Sequence, residues 1–183
     1  MFSIFKKYRL VIKFIITFLL VYGIGSGIYK FYLDVSDGSQ FYPDYLTNLV
    51  AKQSSAMINS FGYPTEIEPH KLEPSMKLMV NNKFVARVVE GCNSVSVIIL
   101  FISFVVAFAG SFKATFFYVL AGSSLIYAVN LIRIAILSIG LYKYPWRSEL
   151  LHTVIFPLII YGLVFLLWMV WVHYYSRQQK ANE

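Results

Sequence analysis

Uninterrupted apolar blocks, rather than short alternating runs, dominate the pattern along this chain. A helix needs about 20 mostly apolar residues to cross roughly 30 Å of hydrocarbon, and four blocks reach or approach that length. They are Leu10–Ile28, Ser94–Ala109, a run from Ala114 to Tyr142 broken only by Arg133, and Thr153–Val172. The third is expected to cross within 114–133. Residues 30–93 form the one sizeable polar segment. Within it, 44–60 has helical periodicity, with Leu46, Leu49, Val50 and Met57 near one face, Asp44 at the start and Gly62 just past the end. Pro64, Pro69 and Pro74 then keep the chain extended. The runs MKLMV and KFVARVV, joined by Asn81 and Asn82, predict a hairpin over 75–89, because Asn tolerates the positive φ of a tight turn. The fold class expected is all-α integral membrane. It has about four transmembrane helices in a single membrane domain and a small α+β cap on the outside. About sixty residues suffice for a cap but hardly for an independent catalytic domain.

Composition supports this picture and charge orients it. The chain is 58% hydrophobic and 14% charged, against about 45–50% and about 25% in soluble domains. The net charge of +7 would suggest nucleic acid in a soluble protein; here topology accounts for it and no nucleic acid is expected. With both termini cytoplasmic, the inner flanks collect Lys6, Lys7, Arg9, Lys13, Lys113, Arg177 and Lys180 against the single acid Glu183. That satisfies the positive-inside bias, with anionic lipid as the partner of those flanks. The first block is expected to stay as an anchor, since its small-residue stretch GIGSG lacks the A-x-A pattern of a cleavage site. No strand precedes GIGSG and no Lys-Ser/Thr follows, so it is not a phosphate loop. Gly23 and Gly27 have the spacing of close helix packing.

One cysteine, Cys92 in VVEGCNSVSV, cannot form an intrachain disulfide or a Cys-rich metal site. Gly91 permits a turn after the hairpin, and Asn93 or Ser94 can cap the second span. Cys92 then sits at the outer N-terminus of a helix, where the macrodipole favours a thiolate. Twenty residues separate Lys113 from Arg133, roughly one bilayer thickness of helix, so Arg133 reaches the same outer level. His152 opens the fourth span from that side. Each has a structural reading: a small hydrophobe, a snorkelling cation, a polar trim. Those readings must also explain the shared depth. A membrane scaffold or assembly factor for an export system is the main non-enzymatic alternative. A transporter is disfavoured, because no span has the broken polar centre of a midplane site.

The motifs EGCNS with Cys92, NLIRIAIL with Asn130 and Arg133, and LLHTVIFP with His152 resemble the exosortase/archaeosortase family of integral-membrane cysteine enzymes. The resemblance covers roughly residues 84–175. Many members carry Gly where this chain has Ser94, and most are longer, with extra spans. The resemblance implies a transpeptidase or protease in a bacterial cell (inner) membrane, with its site on the extracytoplasmic face. It would recognise a C-terminal sorting signal (motif, transmembrane helix, basic tail) on an exported protein. It would cleave through a Cys92 thioester and pass the new C-terminus to a lipid or glycan-linked acceptor. A covalent thioester divides one hard amide displacement into two easier steps. His152 is favoured as the acid/base and Arg133 as the oxyanion stabiliser or backbone clamp, although the reverse assignment stays open. Asn130, three residues before Arg133 on the same helix face, would orient the guanidinium or donate to the oxyanion. Glu90 would hold His152 or Arg133, or else stand as an exposed, solvated carboxylate. This chemistry calls for no cofactor and no metal; His70, His152 and His173 are scattered.

Overall fold

A computed structural model of the chain describes residues 8–36, 41–108 and 110–181, apart from the side chains of Ser148, His152 and residues 175–181. Lys6, Lys7, Ala109 and Glu183, and the side chains of Arg177 and Lys180, lie outside the described residues. The described residues form five long helices and one three-stranded sheet. In chain order they are α1 (Arg9–Ser36), α2 (Tyr45–Ser60), β1 (Thr65–Pro69), β2 (Met76–Val80), β3 (Lys83–Val88), α3 (Val95–Ala107), α4 (Phe112–Lys143) and α5 (Phe156–Ala181). A π turn, Leu151–Ile155, leads into α5. It widens directly before Pro157, which has no N–H to return to the preceding turn.

Among the described residues three stretches are long and apolar enough to cross a membrane: Arg9–Ser36, Phe112–Lys143 and Thr153–Tyr174. The expected second span over 94–109 is a helix of only 13 residues, Val95–Ala107, about 20 Å long. It ends early because Ser111 caps the next helix, accepting a bond from Ala114 N. Protein surrounds it. Ile99 meets α1 at Gly25, the Phe101 ring lies over Gly122 of α4, and Phe104 stacks on Trp168 of α5 at 4.3 Å. The close approach on α1 is therefore at Gly25; a Cβ on Gly23 or Gly27 would meet nothing within 4 Å.

Two helices run further than expected, for one reason. α1 continues past Ile28 and α4 continues past Arg133, and both extensions hold the cap. Tyr32 on α1 donates to Asp44 Oδ1 at 3.2 Å and accepts from Leu46 N at 3.1 Å. Ile134 and Ala135 on α4 pack into an outer core with Val50, Ala51 and Ile58 of α2, Met76, Leu78 and Val80 of β2, and Val88 of β3. A second, inner core holds Phe101, Val105, Ile126, Val164 and Trp171.

The cap helix is capped by Asp44, whose carboxylate accepts from Thr47 N at 2.9 Å. Its buried face is rotated from the expected one. Thr47, Val50, Ala51, Ser54, Ser55 and Ile58 are buried, and Leu46, Leu49 and Met57 are only half-buried. Small side chains at that spacing let the helix lie close to its neighbours. The hairpin pairs β2 with β3 in antiparallel register through Asn81 (φ 48°) and Asn82 (φ 62°), with a bulge at Leu78/Met79. Strand β1, read from sequence only as extended chain between prolines, pairs with β2 from Thr65↔Val80 to Pro69↔Met76. Ser55 and Asn59 of α2 both donate to Thr65 O, and Thr65 N returns a bond to Asn59.

Candidate active site

Between the outer and inner cores the chain makes a short 3₁₀ turn, Glu90–Cys92. Irregular backbone at the edge of an apolar bundle needs partners from protein for its polar groups, and Cys92 has them on both sides. Cys92 N donates to Val89 O at 2.8 Å, and Cys92 O accepts from Asn130 Nδ2 at 2.7 Å. Ser94 takes the N-cap position of α3 with φ 65° but forms no side-chain cap. Asn93 does that work instead, its Oδ1 accepting from Val95 N at 3.0 Å. The Asn93 amide also donates to Tyr29 of α1 at 2.7 Å and to Thr47 of α2 at 3.2 Å. A buried amide thus fastens the turn to both neighbouring helices.

Asn130 is 1% exposed, and its Nδ2 donates to the backbone carbonyl of Cys92. One helical turn along α4, Arg133 lays its guanidinium over the Phe156 ring at 4.3 Å, and its Nε is buried with no hydrogen-bond partner. Cys92 and Arg133 line one cavity of about 250 Å³. Its remaining lining is Ala86, Arg87 and Val88 of β3, Ile134, Leu137, Ser138 and Leu141 of α4, and Phe156, Pro157 and Tyr161. Among the described residues this lining includes Arg133, Arg87 (whose guanidinium is paired with Glu73) and no acidic residue. Such a site favours negative charge developing beside a thiol, because the walls are apolar and water is thinned.

Glu90 is not brought to Arg133. It is exposed and lines a separate cavity with Asp34, Asp44, Lys71 and Glu73. The ion pair formed on this side of the cap is Arg87 with Glu73. The backbone of His152 lies in the π turn, four residues before the Phe156 ring that supports Arg133; its side chain is outside the described residues. Among the described residues no three His, Cys, Asp or Glu side chains gather as a metal-binding group. Phe156 and Tyr161 went unnoticed in the sequence. The available signal was their spacing after His152, which carries the chain one to two turns into α5 on the cavity side.

A family model for the transmembrane exosortases (Exosortase_EpsH) matches residues 18–174. The chain belongs to the transmembrane exosortase family. No curated protein and no solved structure matches it. The exosortase match begins within α1 and ends within α5, so it takes in the whole cap, the Cys92 turn and the cavity. Together with the three long apolar helices, it makes this exosortase an integral membrane protein. Membership suggests a membrane transpeptidase-like role.

Proposed function

We propose that this exosortase-family protein is a cysteine transpeptidase that processes C-terminal sorting signals of exported proteins. The observation that carries the reading is the cavity shared by Cys92 and Arg133, residues 41 apart in sequence. Cys92 passes its thiol proton to His152 as Sγ attacks the scissile carbonyl, and Arg133 stabilises the oxyanion that forms. Collapse breaks the C–N bond, the leaving amine takes a proton from His152, and a thioester remains on Cys92. An acceptor amine on a lipid or glycan then attacks the thioester. The exported protein is released in a new amide, and the thiol recovers its proton. Asn130 acts in this scheme by holding the carbonyl of Cys92. Asn93 fastens the turn to α1 and α2 through Tyr29 and Thr47. Glu90 has no role in the step.

In this reading both termini are cytoplasmic, α3 serves as a short fourth span enclosed by the others, and the cap and cavity face outward. A scaffold with an idle thiol is the outcome to set against it. The test compares cells carrying the native protein, Cys92→Ala and Arg133→Ala by intact-mass analysis of exported membrane proteins. Proteins that keep their C-terminal helix in both variants and lose it with the native chain identify the substrates and support the reading. Identical C-termini in all three strains, with the native chain expressed, remove it.

A further inference from the structure

The sheet order is β1-β2-β3, so β3 is an edge strand. On its far side no turn, cap or side-chain hydrogen bond from a described residue reaches its backbone. Unpaired strand edges are templates for another strand. The cavity gives this edge a direction. Successive side chains of a strand point to opposite faces, so a cavity confined to one face of β3 would touch every second residue. The Cys92 cavity instead touches Ala86, Arg87 and Val88 in succession, and no residue of β1 or β2 lines it. It therefore runs along the free edge of β3. The opposite wall, from Ile134 to Leu141 of α4, extends about 10 Å along that helix, the rise of about three strand residues.

We propose that the free edge of β3 is the docking rail for the peptide substrate: the roughly three residues upstream of the scissile bond pair with it as a fourth strand. This deepens the transpeptidase reading and rests on it. A peptide backbone is the occupant because it matches the groups on offer. The strand edge presents N–H and C=O groups at strand spacing, and the buried Nε of Arg133 needs an acceptor. A lipid tail would fill the apolar wall and leave both without partners, at the cost of buried unpaired polar groups. The pairing is parallel. β3 runs from Lys83 toward Cys92, and an acyl group that ends at Sγ must extend back along the groove with its N-terminal side farthest from Cys92. Main-chain bonds then supply affinity, and alternate side chains facing α4 and α5 supply selectivity.

Because backbone pairing tolerates sequence, defined probes test it without the natural signal. The full chain in nanodiscs is treated with acetyl-oligoalanyl vinyl sulfones of one to four residues, and the second-order rate of Cys92 modification is read by mass. The rate should rise about tenfold between one and three residues and then level off. N-methylation should erase the gain at one position and spare the next, since alternate residues of an added strand face away from the ladder. Iodoacetamide reports intrinsic thiol reactivity in parallel. Rates indifferent to length and N-methylation, with iodoacetamide reactive, overturn the rail and leave the thiol chemistry standing. If iodoacetamide and peptides alike leave Cys92 unmodified, the transpeptidase reading fails instead. Docking is then decided without the thiol, by amide hydrogen exchange at residues 85–88 of the Cys92→Ala chain with and without acetyl-tetra-alanine amide. Slowed exchange supports the rail and unchanged exchange overturns it.

Discussion

The side chain that most sharply tests the site is Asn130. Its bond to Cys92 O joins the backbone of Cys92 to the helix that carries Arg133, so one turn of α4 sets the distance between thiol and guanidinium. Asn130→Ala should lower kcat about tenfold, the equivalent of about 1.4 kcal/mol, with KM little changed, while Cys92 stays alkylatable. A purely structural role would move the thermal midpoint and leave kcat per folded molecule intact. At Arg133, replacement by Lys keeps the charge but loses the planar face on Phe156 and the fork of donors. Turnover of the substrate identified in cells should fall about a hundredfold, as for loss of an oxyanion donor. The cohabitation of Cys92 and Arg133 was legible in the sequence, because helix rise converts residue counts into depth. The target of Asn130 was not. Helical spacing puts it on Arg133's face, but whether it turns to the guanidinium or to a neighbouring turn depends on tertiary contacts. Glu90 is exposed, the plainer of its two readings: it stands two residues before Cys92, yet the two line different cavities.

Among the elements, the packing of α3 against α4 is governed by Gly122. A Cβ there would stand 2.3 Å from Phe101 Cζ, and Phe101 is fully buried. Gly122→Ala should therefore destabilise by about 1–3 kcal/mol through overpacking, seen as a lower thermal midpoint in detergent, and Phe101→Leu should restore part of it. Gly23→Ala and Gly27→Ala should not lower the midpoint in the isolated chain, since those positions meet nothing and Ala is the better helix former. In the cap, Asp44→Ala removes both the α2 cap and the tether to Tyr32, with an expected loss of about 1–2 kcal/mol. Apolar blocks fix where membrane helices lie but blur where they stop. α1 runs past its block where Tyr32 ties it to the cap, and α4 runs past the expected crossing because Ile134 and Ala135 are buried against the cap; nothing in a local window distinguishes burial by lipid from burial by protein. Strand β1 was hidden by Pro64 and Pro69, although Thr65-Glu66-Ile67-Glu68 carries a period-two alternation that the burial pattern follows.

For the whole molecule, the two cores meet at one level, with Ile126 in the inner and Ile134 in the outer. Asn130 and Arg133 occupy the interval between them, as the Cys92 turn does between Val88 and Phe101. With the termini cytoplasmic, a membrane-impermeant maleimide should label Cys92 in intact cells, and protease added outside should cut in the cap while sparing both ends. The positive-inside charge pattern carries that expectation, and labelling only after the membrane is opened would reverse it.

The continuity of α4 has a further consequence. Its 32 residues form one rod, about 48 Å long, whose lower part is seated among the apolar helices and whose upper part is built into the cap. A rod of this kind answers to the thickness of the lipid around it, because a helix longer than the local hydrocarbon tilts to keep its apolar stretch covered. Arg133 rides on that rod, while Cys92 hangs from it by a single amide. Acyl-chain length in the surrounding bilayer thus becomes a variable of the reaction geometry, and the same chain reconstituted in thin and thick membranes should differ in turnover before it differs in stability.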